Sequence, residues 1–276
     1  MADITNPPPR PVAFISGASS GIGAAAGLVF AAAGYDVILA ARRQERLEKA
    51  AAQARAAGPA AQVVPLVCDV TADQAVEKAF RAVEERFGRL DVLINNAGFG
   101  VYGAVADTPL DSFRASMETN FFGALRCTQA ALPLLRQAVR KPVSRQRAVV
   151  VMVSSFVGRR GLPLMSAYCA SKFALEALSE SLRVELHDEG IAVAVVNPGV
   201  TRTEFFAAAT GTRPAINLAP HKGMSPEAVA QALLSAARHP CRNRYLTLAG
   251  KSGMVLQWLA PSVFDYLLIR SRHNQD

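Results

Sequence analysis

The chain has 276 residues, of which 51% are hydrophobic and 19% charged, a composition that supports a sizeable core and excludes a disordered chain. Its net charge is +8, but the basic clusters Arg136, Arg140, Lys141, Arg145, Arg147 and Arg238, Arg242, Arg244 carry no interleaved aromatics. The excess therefore reads as a solvated surface, with no nucleic-acid module. No secretory signal is legible from Met1, and Cys68, Cys127, Cys169 and Cys241 lie too far apart for a zinc or disulfide framework; free thiols, no metal and a cytoplasmic setting are expected.

Residues 1–11 read as a flexible, Pro-rich arm. A first strand over Val12–Ser16 leads into Ser16-Gly17-Ala18-Ser19-Ser20-Gly21-Ile22-Gly23 and a small-residue helix over Gly21–Ala33. Strand, glycine turn and helix N-terminus in that order make a phosphate cradle, because the glycines admit close backbone approach and the first helical turn has free N–H groups. The pattern then alternates. Strand Asp36–Ala41 precedes helix Gln44–Ala57, strand Gln62–Cys68 precedes helix Ala72–Phe87, and strand Asp91–Asn95 precedes a long helix over Leu110–Val139. Strand Ala148–Ser154, helix Ser166–Glu189, strand Ile191–Asn197, helix Ser225–Ala237 and strand Arg244–Leu248 complete the series. Near-continuous apolar strands such as Val149-Val150-Val151-Met152-Val153 are those of a parallel sheet covered on both faces. The expectation is one α/β domain over 12–250, a Rossmann-type doubly wound sheet, with residues 251–276 as an apolar tail of the same domain. Two irregular stretches, 99–109 and 201–224, follow strand C-terminal ends, where such sheets bind ligands, and are expected to wall the substrate site. The tail, with Trp258, Phe264, Tyr266, Leu267 and Leu268 interrupted by Pro261 and Asp265, does not read as a spanning helix. It covers the substrate cleft, packs in a subunit interface or rests on a membrane surface, the first two being favoured.

Tyr168 and Lys172 stand at i and i+4, on one helix face. Thirteen residues earlier is Ser155, at the end of a strand. Asn120 lies in the preceding long helix, and further strands end in Asn95-Asn96-Ala97-Gly98 and Asn197-Pro198-Gly199-Val200-Thr201-Arg202-Thr203. Together with the glycine cradle, these five motifs resemble the short-chain dehydrogenase/reductase family in its compact form, over residues 12–248. Ser16 stands where that family more often has Thr, a change that keeps the hydroxyl.

The resemblance implies hydride transfer between a nicotinamide and a carbonyl or alcohol. Tyr168 is then the proton donor or acceptor, and Lys172, together with the oxidised nicotinamide, lowers its pKa from the phenol value of about 10 while also holding the nicotinamide ribose. Ser155 holds the substrate oxygen, and Asn120 holds a water that links Lys172 to solvent. The cofactor site it implies comprises Gly17, Ser19, Ser20, Gly21, Ile22 and Gly23 in the cradle, with Tyr168 and Lys172. Asp69 and Val70 lie at the adenine, Asn96, Ala97 and Gly98 after the fourth strand, and Pro198, Gly199, Val200, Thr201 and Thr203 after the sixth. Where dinucleotide folds that prefer NAD place an acid, the second strand runs on into Arg42 and Arg43, which suit a 2′-phosphate and so NADP(H). Phe99, Tyr102, Phe156, Leu162, Phe205 and Phe206 fall where the family builds its substrate wall, which points to a lipophilic ketone, aldehyde or alcohol of steroid, retinoid, long-chain or aromatic type. A homodimer or homotetramer is expected by the same resemblance. The alternative is a catalytically silent dinucleotide sensor of the same fold; the presence of both Tyr168 and Lys172 favours the enzyme.

Overall fold

The computed structural model describes residues 10–142, 147–205, 210–211 and 223–273. In chain order the elements are β1 (Val12–Ser16), α1 (Gly21–Ala32), β2 (Asp36–Ala41), α2 (Gln44–Ala57), β3 (Val63–Val67), α3 (Asp73–Phe87), β4 (Val92–Asn95), β5 (Val101–Tyr102), α4 (Leu110–Met117) and α5 (Gly123–Arg140). They continue with β6 (Ala148–Val153), α6 (Ser166–Glu185), β7 (Ile191–Asn197), β8 (Thr210–Gly211), α7 (Pro226–Arg238), β9 (Arg244–Tyr245), α8 (Leu248–Leu259) and α9 (Pro261–His273).

Seven strands form one parallel sheet in the order β3-β2-β1-β4-β6-β7-β9. Alternate strand residues feed two cores. Ala13 and Ile15 of β1, with Val149 and Val151 of β6, pack under α1, α2 and α7 beside Phe30, Leu47 and Leu233. Val12 and Phe14, with Val150 and Met152, pack under α3, α5 and α6 beside Phe80, Leu135 and Leu182. A period of two on strands buried on both faces is why these runs are apolar throughout. The chain winds outward from β1 to β3 and returns through β4 to the other side of β1, so the crevice opens beyond the C-terminal ends of β1 and β4.

Several elements differ from the sequence reading. The helix expected over 110–139 is interrupted by a π-helical turn at Glu118–Phe122, which holds Asn120, and the helix expected to reach Glu189 ends at Glu185. The strand expected over 244–248 is cut to Arg244–Tyr245, because the Thr247 hydroxyl accepts a hydrogen bond from Gly250 N at 3.1 Å and starts α8 there. A two-stranded ribbon of β5 and β8 carries no periodic signal, being only two residues long on each side. The tail folds as the hairpin of α8 and α9, with Pro261 opening α9, where its missing N–H costs nothing.

Candidate active site

Beyond β1 the backbone turns sharply. Gly17 and Gly21 have φ of +67° and +56°, a region open mainly to glycine. A Cβ on Gly17 would stand 2.8 Å from Ala97 Cα, so the β1 and β4 ends meet only because that side chain is missing. The Ser16 hydroxyl ties them: it donates to Ile94 O (3.2 Å) and accepts from Asn96 N (3.0 Å) and Ala97 N (3.1 Å). The hydroxyl kept where the family favours Thr thus has work in this protein.

One open cavity of about 1010 Å³ runs from this turn across the sheet ends. The sequence-predicted residues Gly17, Ser19, Ser20, Gly21 and Ile22 line it, with Arg42, Arg43, Asp69 and Val70. So do Asn96, Ala97, Gly98 and the loop residues Pro198, Gly199, Val200, Thr201 and Thr203, together with Ser155, Tyr168 and Lys172. Gly23 does not line it: a Cβ there would sit 2.4 Å from Gly17 O, so this glycine lets α1 pack beneath the turn. Of the predicted substrate wall, Phe99, Tyr102, Phe156, Leu162 and Phe205 face the cavity, while Phe206 lies outside the described residues.

Asn120 also stands apart from the cavity surface. Its buried amide accepts from Phe99 N (2.9 Å) and donates to Phe99 O (3.0 Å), Ser171 Oγ (2.9 Å) and Ser116 Oγ (3.3 Å). In the structure its side chain is spent on the 98–99 loop and α6, and a Cβ on Gly98 would meet Asn120 Oδ1 at 2.8 Å and Lys172 Nζ at 3.7 Å. The π-helical turn carries this side chain into place, a local distortion of the kind found at functional sites.

Tyr168 and Lys172 lie on one face of α6, both buried. Lys172 Nζ donates to Val153 O at 2.9 Å and stands 5.8 Å from the Tyr168 ring centre. Burial pushes the Tyr168 phenol well above its ordinary pKa, against the pull of the Ser155 hydroxyl. In the protein alone desolvation is the largest influence on this phenol; the lowering expected from Lys172 is one it exerts together with the oxidised nicotinamide. A phenol held neutral beside a hydroxyl can give a proton to an incoming oxygen. Burial pushes Lys172 down to about 8, and Glu176, one turn further along α6, opposes that. Glu176 is only 2% exposed. Arg159, in the loop that follows Ser155, reaches it with Nη2 at 3.0 Å and Glu180 at 2.6 Å.

At the far end Arg43 turns back into the cradle, donating to Ser20 Oγ at 2.7 Å and Ser19 Oγ at 3.1 Å, and pairing with Glu204 at 3.1 Å. Arg42 stands 3.8 Å from Asp69. Arg46 pairs with the same Glu204 carboxylate. Arg46 and Glu204 escape a motif reading because neither belongs to the glycine pattern, and only the fold brings positions 43, 46 and 204 together. Phe264 was visible only as part of an apolar tail; it lines the cavity from α9, with Ala249 and Gly250 from α8. Arg160 fastens that hairpin, stacking over the Phe264 ring at 4.6 Å and bonding Gln257 at 2.7 Å and Asp265.

A family model described as short chain dehydrogenase matches residues 11–213. The chain is 34% identical over 274 residues to the Bos taurus dehydrogenase/reductase SDR family member 7B, covering 96% of this chain and 82% of that one. An alcohol dehydrogenase from Thermococcus sibiricus, solved with 5-hydroxy-NADP, superposes with a TM-score of 0.73 at 29% identity, covering 87% of this chain and 96% of that one. A short-chain dehydrogenase/reductase from Burkholderia phymatum, solved with NAD, has a TM-score of 0.81 at 24% identity, with 91% and 93% covered. Sheet order, motif order and these likenesses converge, and the chain belongs to the short-chain dehydrogenase/reductase family of oxidoreductases.

Proposed function

We propose that the protein is an NADP(H)-dependent oxidoreductase that interconverts a carbonyl and a primary or secondary alcohol on a bulky lipophilic molecule. The observation that carries this reading is the convergence of Tyr168, Ser155 and Lys172 on the cavity that also holds the glycine cradle. The residues present fit a dinucleotide. Backbone replaces side chain at Gly17 and Gly21, hydroxyls of Ser19 and Ser20 face the same space, and the α1 N-terminus favours an anion. When bound, the dinucleotide supplies or accepts the hydride.

In reduction, Tyr168 gives its proton to the carbonyl oxygen as charge develops there, and Ser155 donates a hydrogen bond to the same oxygen. In oxidation Tyr168 takes the proton back. Lys172 brings a positive charge beside the phenol, which favours the tyrosinate left after transfer. Asn120 fixes the 98–99 loop against α6. Arg42 and Arg43 support a preference for the 2′-phosphate, since guanidinium groups make charge-assisted paired contacts with phosphate. The wall of Phe99, Tyr102, Phe156, Leu162 and Phe205, extended by Met165 and Phe264, supports a lipophilic substrate.

The deciding experiment follows NADPH oxidation at its absorbance band against steroid, retinoid, long-chain and aromatic carbonyls. Turnover on at least one class, lost in Tyr168→Phe while NADPH still binds, is the expected result. Dinucleotide binding with no turnover on any class would return the reading to a dinucleotide sensor.

A further inference from the structure

Among the described residues, exposed large hydrophobic side chains concentrate on the hairpin of α8 and α9. Eight of the sixteen exposed large hydrophobic residues among the described ones lie between Leu248 and Ile269, so the patch is concentrated, where single exposed residues would need no explanation. On α8 the outward stripe is Val255, Trp258 and Leu259, with Lys251 one turn earlier. On α9 it is Val263, Tyr266 and Leu267, with Arg270 one turn later. Both follow the three- and four-residue spacing of a single helix face. Trp258 is 83% exposed.

Charge narrows what covers this face. The one acid between residues 248 and 270 is Asp265, and Arg160 holds it. Against it stand the cations Lys251, Arg270 and Arg272, so the hairpin helices carry a net positive charge. A second copy seated hairpin to hairpin about a two-fold axis would set these cations toward their own kind, with Asp265, already held by Arg160, as the one acid of the described hairpin residues. An anionic lipid surface complements them, and takes up apolar and aromatic side chains at its acyl boundary. No helix among the described residues is long and apolar enough to cross a membrane, which suits a helix pair lying in the interface. Arg160 fixes the hairpin to the loop beside Ser155, and Phe264 on its inner side lines the cavity, so the contact surface and the cavity wall are two sides of one element.

We propose that the outer face of the α8–α9 hairpin docks on an anionic lipid surface, with Trp258 and Leu267 entering the headgroup boundary and Lys251 and Arg270 meeting the lipid phosphates. The proposal does not depend on the reaction, and its test reads no turnover. Trp258 is the sole tryptophan of the chain, so its emission reports this face alone. Vesicles of phosphatidylcholine and phosphatidylglycerol in a three-to-one ratio should shift that emission to the blue, and the protein should sediment with them. Pure phosphatidylcholine vesicles should give a clearly weaker response. The double change Leu259→Ser and Leu267→Ser should lower the partition at least about tenfold, with circular dichroism and NADPH binding unchanged. Emission unmoved by either vesicle overturns the proposal. So does a blue shift that grows with protein concentration in the absence of lipid and accompanies dimerisation by light scattering, which would assign the face to a second copy. Equal partition onto both vesicles would remove the role given to Lys251 and Arg270.

Discussion

Arg43 and Glu204 make the cofactor end of the cavity a site of competition. The Arg43 guanidinium already bonds Ser19, Ser20 and the Glu204 carboxylate, so under the proposed NADP(H) preference an incoming 2′-phosphate would exchange one anionic partner for another. A charge-assisted hydrogen bond contributes about 1.5–3 kcal/mol. Arg43→Ala and Arg42→Ala should each raise the NADPH dissociation constant about tenfold or more while NADH binding changes little. Glu204→Gln should tighten NADPH by removing the competing carboxylate. Fluorescence titration of the reduced dinucleotides measures all three, and an unmodified protein that binds both with equal affinity would refute the preference. Lys172 gives a second residue-scale expectation. Burial holds its ammonium down at about 8, and the Glu176 carboxylate pulls it back up. The kcat/KM for reduction should therefore fall as pH rises through about 8, as Lys172 loses the charge that favours tyrosinate. In Glu176→Gln that break should move to lower pH, since the group favouring the charged lysine is gone; Arg159, Glu180, Arg183 and Tyr245, the other ionisable groups interacting with Glu176, remain.

Between elements, the contact of most consequence is Arg159 with Glu176. It joins the loop that carries Ser155 to the helix that carries Tyr168 and Lys172, and so sets the spacing of the proposed catalytic groups. Removing one partner of a buried pair leaves the other charge uncompensated, at about 3–5 kcal/mol. Arg159→Ala should lower the urea midpoint accordingly, and should reduce kcat more than it weakens NADPH binding. A midpoint unchanged from the wild type would show that the loop is held by other contacts. This pair also marks where the sequence stops being legible. Strands β1, β2 and β7 have the boundaries read from their apolar runs, because a strand buried on both faces writes its extent in composition. The glycine cradle and the Tyr168–Lys172 spacing are local, hence readable from neighbours in the chain. Arg159–Glu176 and Arg43–Glu204 are not: nothing near residue 159 or 43 announces a partner that only the folded sheet supplies. The π-helical turn at Asn120 was hidden for a related reason, since it follows from hydrogen bonds to Phe99 and Ser171 and not from helix periodicity.

At the scale of the whole molecule, the tail turns from a run of apolar residues into one wall of the cavity. Its attachment is economical: a single side chain, Arg160, is 11% exposed and engages Phe264, Gln257 and Asp265 at once. Phe264 in turn stacks on Phe156 at 6.3 Å between ring centres, so the hairpin closes the site through two aromatic rings whose positions depend on that arginine. Phe264 reaches the cavity beside Phe156 of the proposed substrate wall, apart from Gly17, Arg43 and Asp69 at the cofactor end. Loosening the hairpin should therefore separate the two functions. Arg160→Ala should raise KM for the largest lipophilic substrates several-fold, should leave small carbonyls nearly unaffected, and should not change NADPH affinity. Phe264→Ala should behave in the same way, through lost wall area in place of lost attachment. Steady-state kinetics on a size series of ketones, with NADPH titration alongside, measures this. If KM rose equally for small and large substrates, Arg160 would be acting on the geometry of Ser155 in the adjoining loop and not through the hairpin.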